Sequence, residues 1–174
     1  MQTGQFQVYT GDGKGKTTAA LGLALRACGA GLRVYIGQFI KKGEFSEIKA
    51  LRRLPGVTVE QYGSGKGLLV RREADADDRA CARAGWERLS AVLTGGEYDV
   101  VIADEINCAP ACGLLAQEDL LALIDRRPGN VELVFTGRGA AQAVLDRADL
   151  VTEMRAVRHY YRDKGLPARE GIEM

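Results

Sequence analysis

Short runs with apolar residues at every second position alternate with longer stretches whose apolar residues recur every three to four positions. Residues 5–10 read as a first strand with Phe6 and Val8 on one face. Residues 16–30 read as a helix rich in Ala and Leu that Gly29 and Gly31 close. A second strand is expected over 32–40, a helix over 44–54 ended by Pro55-Gly56, and a third strand over 57–62. A long helix follows at 72–94, with Ala82, Trp86, Leu89 and Leu93 on one buried face and Thr94-Gly95-Gly96 as its stop. Residues 98–103 end in the unbroken apolar run of a strand covered on both sides. Residues 117–125 predict a helix, 131–136 a strand, 140–147 a helix and 150–154 a last strand, while 159–174 show no period.

Strands alternating with helices predict an α/β fold, a mostly parallel central sheet with helices on both faces. Such a sheet presents its ligand loops at the carboxyl ends of the strands. With no internal repeat, low-complexity stretch or linker, residues 1–174 are expected to form one domain.

Composition narrows the function classes. Lys and Arg number 24 against 23 Asp and Glu, a net charge of +1, so nothing draws the whole chain to nucleic acid or an anionic membrane. No apolar run reaches the ~18 residues of a membrane span, and Met1–Gln5 has no basic and apolar regions of a secretory signal. Cys28, Cys81, Cys108 and Cys112 are too few for a disulfide scaffold at this length. A cytoplasmic protein with reduced thiols is expected.

The chemistry concentrates after the first strand, in Thr10-Gly11-Asp12-Gly13-Lys14-Gly15-Lys16-Thr17-Thr18. The common phosphate-loop pattern is Gly, four variable residues, then Gly-Lys-Ser/Thr; here Thr10 holds the first glycine position and Gly11 comes one residue late. Three glycines in five residues still let the backbone aim successive N–H groups inward, and the next helix adds its positive end. Lys16 can reach phosphate oxygens, and the Thr17 hydroxyl can ligate Mg²⁺, or Mn²⁺ in its place. The bland reading, a glycine-rich turn before a helix, does not account for the intact Gly-Lys-Thr-Thr between strand and helix. A second candidate is Asp104-Glu105, where the apolar run ends: one carboxylate can hold the metal, and the other can join its shell or orient a nucleophile.

These motifs resemble the ATP:corrinoid adenosyltransferases. The resemblance runs nearly end to end: residues 8–20 with the same shortened loop, Gln38-Phe39-Ile40-Lys41, Arg72-Glu73-Ala74-Asp75, residues 101–105, Arg127-Pro128-Gly129, Thr136-Gly137-Arg138-Gly139, and a tail with His159 and Gly171-Ile172-Glu173. It implies a RecA-like phosphate-loop fold and a reaction in which a Co(I) corrinoid attacks the 5′-carbon of ATP and displaces triphosphate. The nucleotide then lies reversed relative to ordinary phosphate-loop enzymes. Lys16, Glu105 and Arg138 are expected to act in catalysis. Gly11, Asp12, Gly13, Lys14, Gly15, Lys16, Thr17, Thr18, Lys41 and His159 are expected to bind the substrates, and Thr17, Asp104 and Glu105 the metal. A flavoprotein reductase and a homodimer are further implications of the resemblance.

Two departures stand out. Ser64-Gly65-Lys66-Gly67-Leu68-Leu69 has no aromatic residue where relatives acting on complete cobalamin often carry Gly-Phe-Thr-Trp, and the first strand begins with no helix before it. Both concern the corrinoid rather than ATP. Cys108 and Cys112, with Pro110 between them and no second ligand pair, read as packing residues rather than zinc ligands, and Trp86 as core. His159, the only histidine, is a corrinoid or phosphate contact by resemblance alone. The competing functions are a phosphoryl-transfer enzyme, which would release ADP, and a nucleotide-dependent corrinoid-binding module with little turnover.

Overall fold

The computed structural model describes residues 3–66 and 72–173. Six strands, β1 (Phe6–Thr10), β2 (Val34–Phe39), β3 (Val57–Tyr62), β4 (Val100–Asp104), β5 (Glu132–Thr136) and β6 (Leu150–Glu153), form one sheet in the order β3-β2-β4-β5-β1-β6. Every pairing is parallel. The expected mostly parallel α/β sheet is therefore wholly parallel, in keeping with a RecA-like phosphate-loop fold.

Period-two alternation splits the apolar runs between two cores. Val34, Ile36, Val100, Ile102 and Val134 face Ala20, Ala24 and Ala27 of α1 (Lys16–Gly29) and Leu51 of α2 (Ser46–Leu51). Their neighbours Tyr35, Val101, Ala103, Leu133 and Phe135 face the other way. There they pack on Leu89 and Leu93 of α3 (Ala76–Thr94), Leu120 and Leu123 of α4 (Gln117–Arg126) and Val144 of α5 (Gln142–Leu145). A strand buried on both faces has no polar alternation to show, so β4 reads in the sequence as a continuous apolar run.

The elements depart from expectation where side chains intercept the backbone. α3 starts at Ala76, not 72: Asp75 Oδ1 accepts from Asp78 N and Asp78 Oδ2 from Asp75 N, both at 3.0 Å, a reciprocal cap. Arg72 reaches forward to bind Asp78, and residues 72–75 stay outside the helix. β2 starts at Val34 because the Asp99 carboxylate takes the Arg33 N–H at 2.9 Å. α2 and α5 are shorter than expected. Trp86 is half-buried at the α3–α4 joint, donating to Asp119 O at 2.8 Å. The tail contains a short helix, α6 (Tyr160–Lys164), that the lack of periodicity concealed.

Among the described residues no helix is long and apolar enough to cross a membrane.

Gly85 fixes how closely α3 approaches the sheet: a Cβ there would lie 2.5 Å from Tyr62 Cγ. Alanine raises helix propensity by ~1 kcal/mol, but this overlap costs about 1–3 kcal/mol in a packed interior. Gly85→Ala is expected to lower the urea unfolding midpoint, and a stabilised variant would show that α3 can give way.

Candidate functional site

The loop after β1 is shaped by what packs behind it. Gly13 N donates to Met154 O at 2.7 Å, and a Cβ on Gly11 would stand 2.4 Å from that same carbonyl. Gly11 and Gly15 also have φ of 95° and 120°, conformations open to glycine. The loop thus lies against the end of β6 and curls over the start of α1. Lys16 is inside this curl, donating to Gly11 O at 2.8 Å and Gly13 O at 2.7 Å. Burial lowers its pKa.

β5 lies between β1 and β4, so the acidic strand end meets the loop across one intervening strand. That strand supplies Thr136, whose hydroxyl donates to Asp104 Oδ1 at 2.7 Å and accepts the Glu105 N–H at 2.9 Å. Asp104 is fully buried. Its Oδ1 also accepts from the Thr17 hydroxyl at 2.8 Å, and its Oδ2 from Gln38 Nε2 at 3.1 Å. One carboxylate therefore joins β4, β5, β2 and the first turn of α1.

Glu105 leaves the strand in a left-handed conformation, φ 62°, which turns it into the cavity. Cys108 donates to Glu105 Oε2 at 3.1 Å and accepts from Arg138 N at 3.2 Å. Burial and the Glu105 carboxylate push the Cys108 thiol up to about 12, so it stays protonated. Lys41 Nζ lies 3.3 Å from Thr17 Oγ1 and 3.5 Å from both Asp104 Oδ2 and Glu105 Oε1. Burial works against its charge, but the two carboxylates outweigh that and raise its pKa.

The tail closes the opposite wall. Lys14 Nζ donates to Tyr160 Oη at 2.9 Å, Ile172 O at 3.1 Å and Glu173 Oε1 at 2.8 Å. Glu173 also accepts from Tyr160 and Arg169, and these hydrogen bonds hold its carboxyl well below the usual range. His159 caps α6, its Nδ1 accepting from Tyr161 N at 3.3 Å.

Between these walls lies a cavity of about 770 Å³. Gly13, Lys14, Gly15, Lys16, Thr17, Thr18, Lys41, Glu105, Arg138 and His159 line it, as do Cys108, Cys112, Leu21 and Ile40. Three expected site residues do not line it. Asp104 lies behind the wall, bound as described. Asp12 points toward the tail, taking the Ala156 N–H and Arg162, and Gly11 turns its carbonyl to Lys16. The sequence pattern gave no role to Gln38 and Thr136, which carry Asp104, or to Tyr160 and Glu173, which carry Lys14. Ser64, from the stretch without aromatics, binds Asp78, and Lys66 binds Asp75 and Asp77. Gly67, Leu68 and Leu69 lie outside the described residues.

The donor set suits a hard divalent cation: a hydroxyl and two carboxylates converge, and an ammonium already stands among them as a stand-in positive charge. Among the described residues no group of three His, Cys, Asp or Glu side chains is arranged to hold a metal ion by itself. Such an ion would need ligand oxygens to complete its shell.

A family model described as ATP:corrinoid adenosyltransferase BtuR/CobO/CobP matches residues 2–174. A Salmonella typhimurium protein named corrinoid adenosyltransferase CobA is 36% identical over 172 residues, covering 99% of this chain and 86% of its own length. Corrinoid adenosyltransferases from Pseudomonas aeruginosa and Escherichia coli K12 are each 34% identical over 172 residues, covering 99% of this chain and 84% and 86% of their own lengths. With the match spanning the loop, the acidic strand end and the tail that together enclose the cavity, the chain belongs to the ATP:corrinoid adenosyltransferase family.

Proposed function

We infer that this site transfers the 5′-deoxyadenosyl group of ATP to the Co(I) of a corrinoid, releasing triphosphate, in cobalamin synthesis or salvage. The observation that carries the reading is the convergence of Lys14, Lys16, Lys41 and Arg138 on one cavity whose wall continues through Leu21, Ile40, Cys108 and Cys112. A leaving triphosphate gathers charge along its whole length, and cations spread along one wall stabilise that charge as the carbon–oxygen bond breaks. Co(I) supplies the electron pair for the new cobalt–carbon bond, so no side chain has to remove a proton. The protein's part is to orient the 5′-carbon and exclude water.

In this reading Lys16 exchanges the Gly11 and Gly13 carbonyls for phosphate oxygens, and the loop N–H groups and the start of α1 cradle the same anion. Arg138 lies at the carboxyl end of β5, where it can meet the terminal phosphate. Thr17, Asp104 and Glu105 would hold Mg²⁺ or Mn²⁺, which supplies charge neutralisation to the leaving group when bound. His159 and Tyr160 form the tail side of the cavity, toward the corrinoid. We assign residues 1–174 to one nucleotide-binding domain, since all six strands join one sheet. We place the protein in the cytoplasm, in keeping with four free cysteines. A flavoprotein reductase would supply Co(I), and a homodimer remains part of the proposal.

Product analysis tests the reaction. Phosphorus NMR of an anaerobic mixture with ATP, Mg²⁺ and chemically reduced corrinoid is expected to show triphosphate rising in step with the adenosylated product. ADP and orthophosphate as the only products would instead assign the site to phosphoryl transfer.

Lys16→Ala removes the buried ammonium from the loop and is expected to cost on the order of 3 kcal/mol of transition-state stabilisation, roughly 100-fold in turnover. Near wild-type turnover in a folded Lys16→Ala protein, checked by circular dichroism, would remove Lys16 from the mechanism.

A further inference from the structure

The backbone at the end of β2 is strained. Ile40 has φ 69°, a left-handed conformation that β-branched residues rarely adopt. Lys41 N donates to Phe39 O at 2.7 Å, closing a three-residue γ-turn of the uncommon, strained hand. The end of β3 presses on this turn: a Cβ on Gly63 would stand 2.5 Å from Ile40 O and 2.7 Å from the Lys41 carbonyl carbon. Strain of this kind persists only where the surroundings impose it, and it gathers at working sites.

Its effect here is to aim one side chain. The Lys41 ammonium sits among Thr17 Oγ1, Asp104 Oδ2 and Glu105 Oε1, at 3.3, 3.5 and 3.5 Å. These are the oxygens assigned above to the divalent cation. Two cations cannot share that point: at such separations their repulsion is large, and both draw on the same donors. Lys41 therefore does not reach outward to a substrate in this state. It neutralises two neighbouring carboxylates that would otherwise repel each other.

We propose that Lys41 is a built-in placeholder for the metal, holding Asp104, Glu105 and Thr17 together until a divalent cation enters by displacing its ammonium. This rests on the metal placement given under the proposed function. In the absence of nucleotide the metal competes with an internal cation and binds weakly. When ATP is present the displaced ammonium gains phosphate oxygens as new partners, so nucleotide and metal favour each other's binding. Lys41 is thus a positioning residue that couples the two.

The test is titration with Mn²⁺ alone and then with Mn²⁺ plus ATP, reading free Mn²⁺ by electron paramagnetic resonance with no corrinoid present. Lys41→Met keeps the apolar stem and removes the charge; it is expected to bind Mn²⁺ roughly tenfold more tightly than the unaltered protein without ATP. With ATP, whose own uptake of Mn²⁺ is subtracted from a protein-free control, the further gain in affinity should be smaller than in the unaltered protein. Lys41→Arg, which keeps the charge, should stay close to the unaltered protein. Adding Asp104→Asn to Lys41→Met should abolish the tighter binding. Unchanged or weaker Mn²⁺ binding by folded Lys41→Met would overturn the proposal. So would tight binding that survives Asp104→Asn. Lys41→Gln carries the same test if the methionine variant is unstable. Because no corrinoid is present, this outcome is independent of whether adenosyl transfer occurs, which the product analysis decides.

Discussion

The buried carboxylate of Asp104 is the constraint on which the site depends. A carboxylate removed from water costs several kcal/mol unless charge and hydrogen bonds compensate it. Here both oxygens are engaged: Oδ1 by the Thr17 and Thr136 hydroxyls, Oδ2 by Gln38, with Lys41 supplying the opposite charge. These partners come from α1, β5, β2 and the turn after β2. The phosphate loop is therefore registered against the acidic strand end by a charge that has to be satisfied. Taking away one donor would leave the rest of the cluster to compensate a charge it cannot fully reach. Breaking such a network costs more than the loss of a single exposed hydrogen bond.

Strain is distributed in keeping with this role. Among the described residues, the two non-glycine residues with positive φ are Ile40 and Glu105, each one position beyond the end of a central strand. β2 and β4 are adjacent, with Gln38 opposite Asp104 in the register. The sheet runs in regular geometry through that register pair; the chain then breaks sharply at Glu105 on one strand and, after Phe39, at Ile40 on the other. One break aims Lys41 at the carboxylates and the other turns Glu105 into the cavity. A parallel sheet held rigid by two apolar cores can impose such conformations where an exposed loop would relax out of them.

Much of this was legible in the sequence because it depends on local pattern. Gly-Lys-Thr-Thr between a strand and a helix, and an acidic pair after an apolar run, state their chemistry within a few residues. The partners of those groups are another matter. Thr136 is 32 positions from Asp104, and Gln38 is 66 positions from it. Neither distance leaves a periodic trace. The pattern puts the start of α3 four residues too early because Asp75 and Asp78 look like ordinary polar helix residues until their reciprocal hydrogen bonds are seen. Lys41 lines the cavity, as a substrate-binding residue should, but its contacts with Asp104 and Glu105, made across the turn at Ile40, leave no local trace. The tail gave no periodicity because its order comes from long-range contacts of Lys14 with Tyr160, Ile172 and Glu173 rather than from a repeating apolar face.

The three lysines around the cavity differ in what they must give up when an anion arrives. Each already has protein oxygens as partners, so a polyphosphate exchanges contacts instead of meeting free charges, and the net gain at each is the difference between two sets of oxygens. On the proposed reading Lys16 would give up two neutral carbonyls for charged phosphate oxygens, a clear improvement, since hydrogen bonds to ionised acceptors are roughly twice as strong. Lys14 gives up the Glu173 carboxylate, already a charged partner, and so gains little. Lys41 gives up two carboxylates, an exchange that favours release only when another cation takes over those carboxylates. Of the three lysines, Lys16 would therefore gain most from a bound phosphate. Lys14 ties the loop to the tail, and on the proposed reading Lys41 would tie anion binding to metal binding.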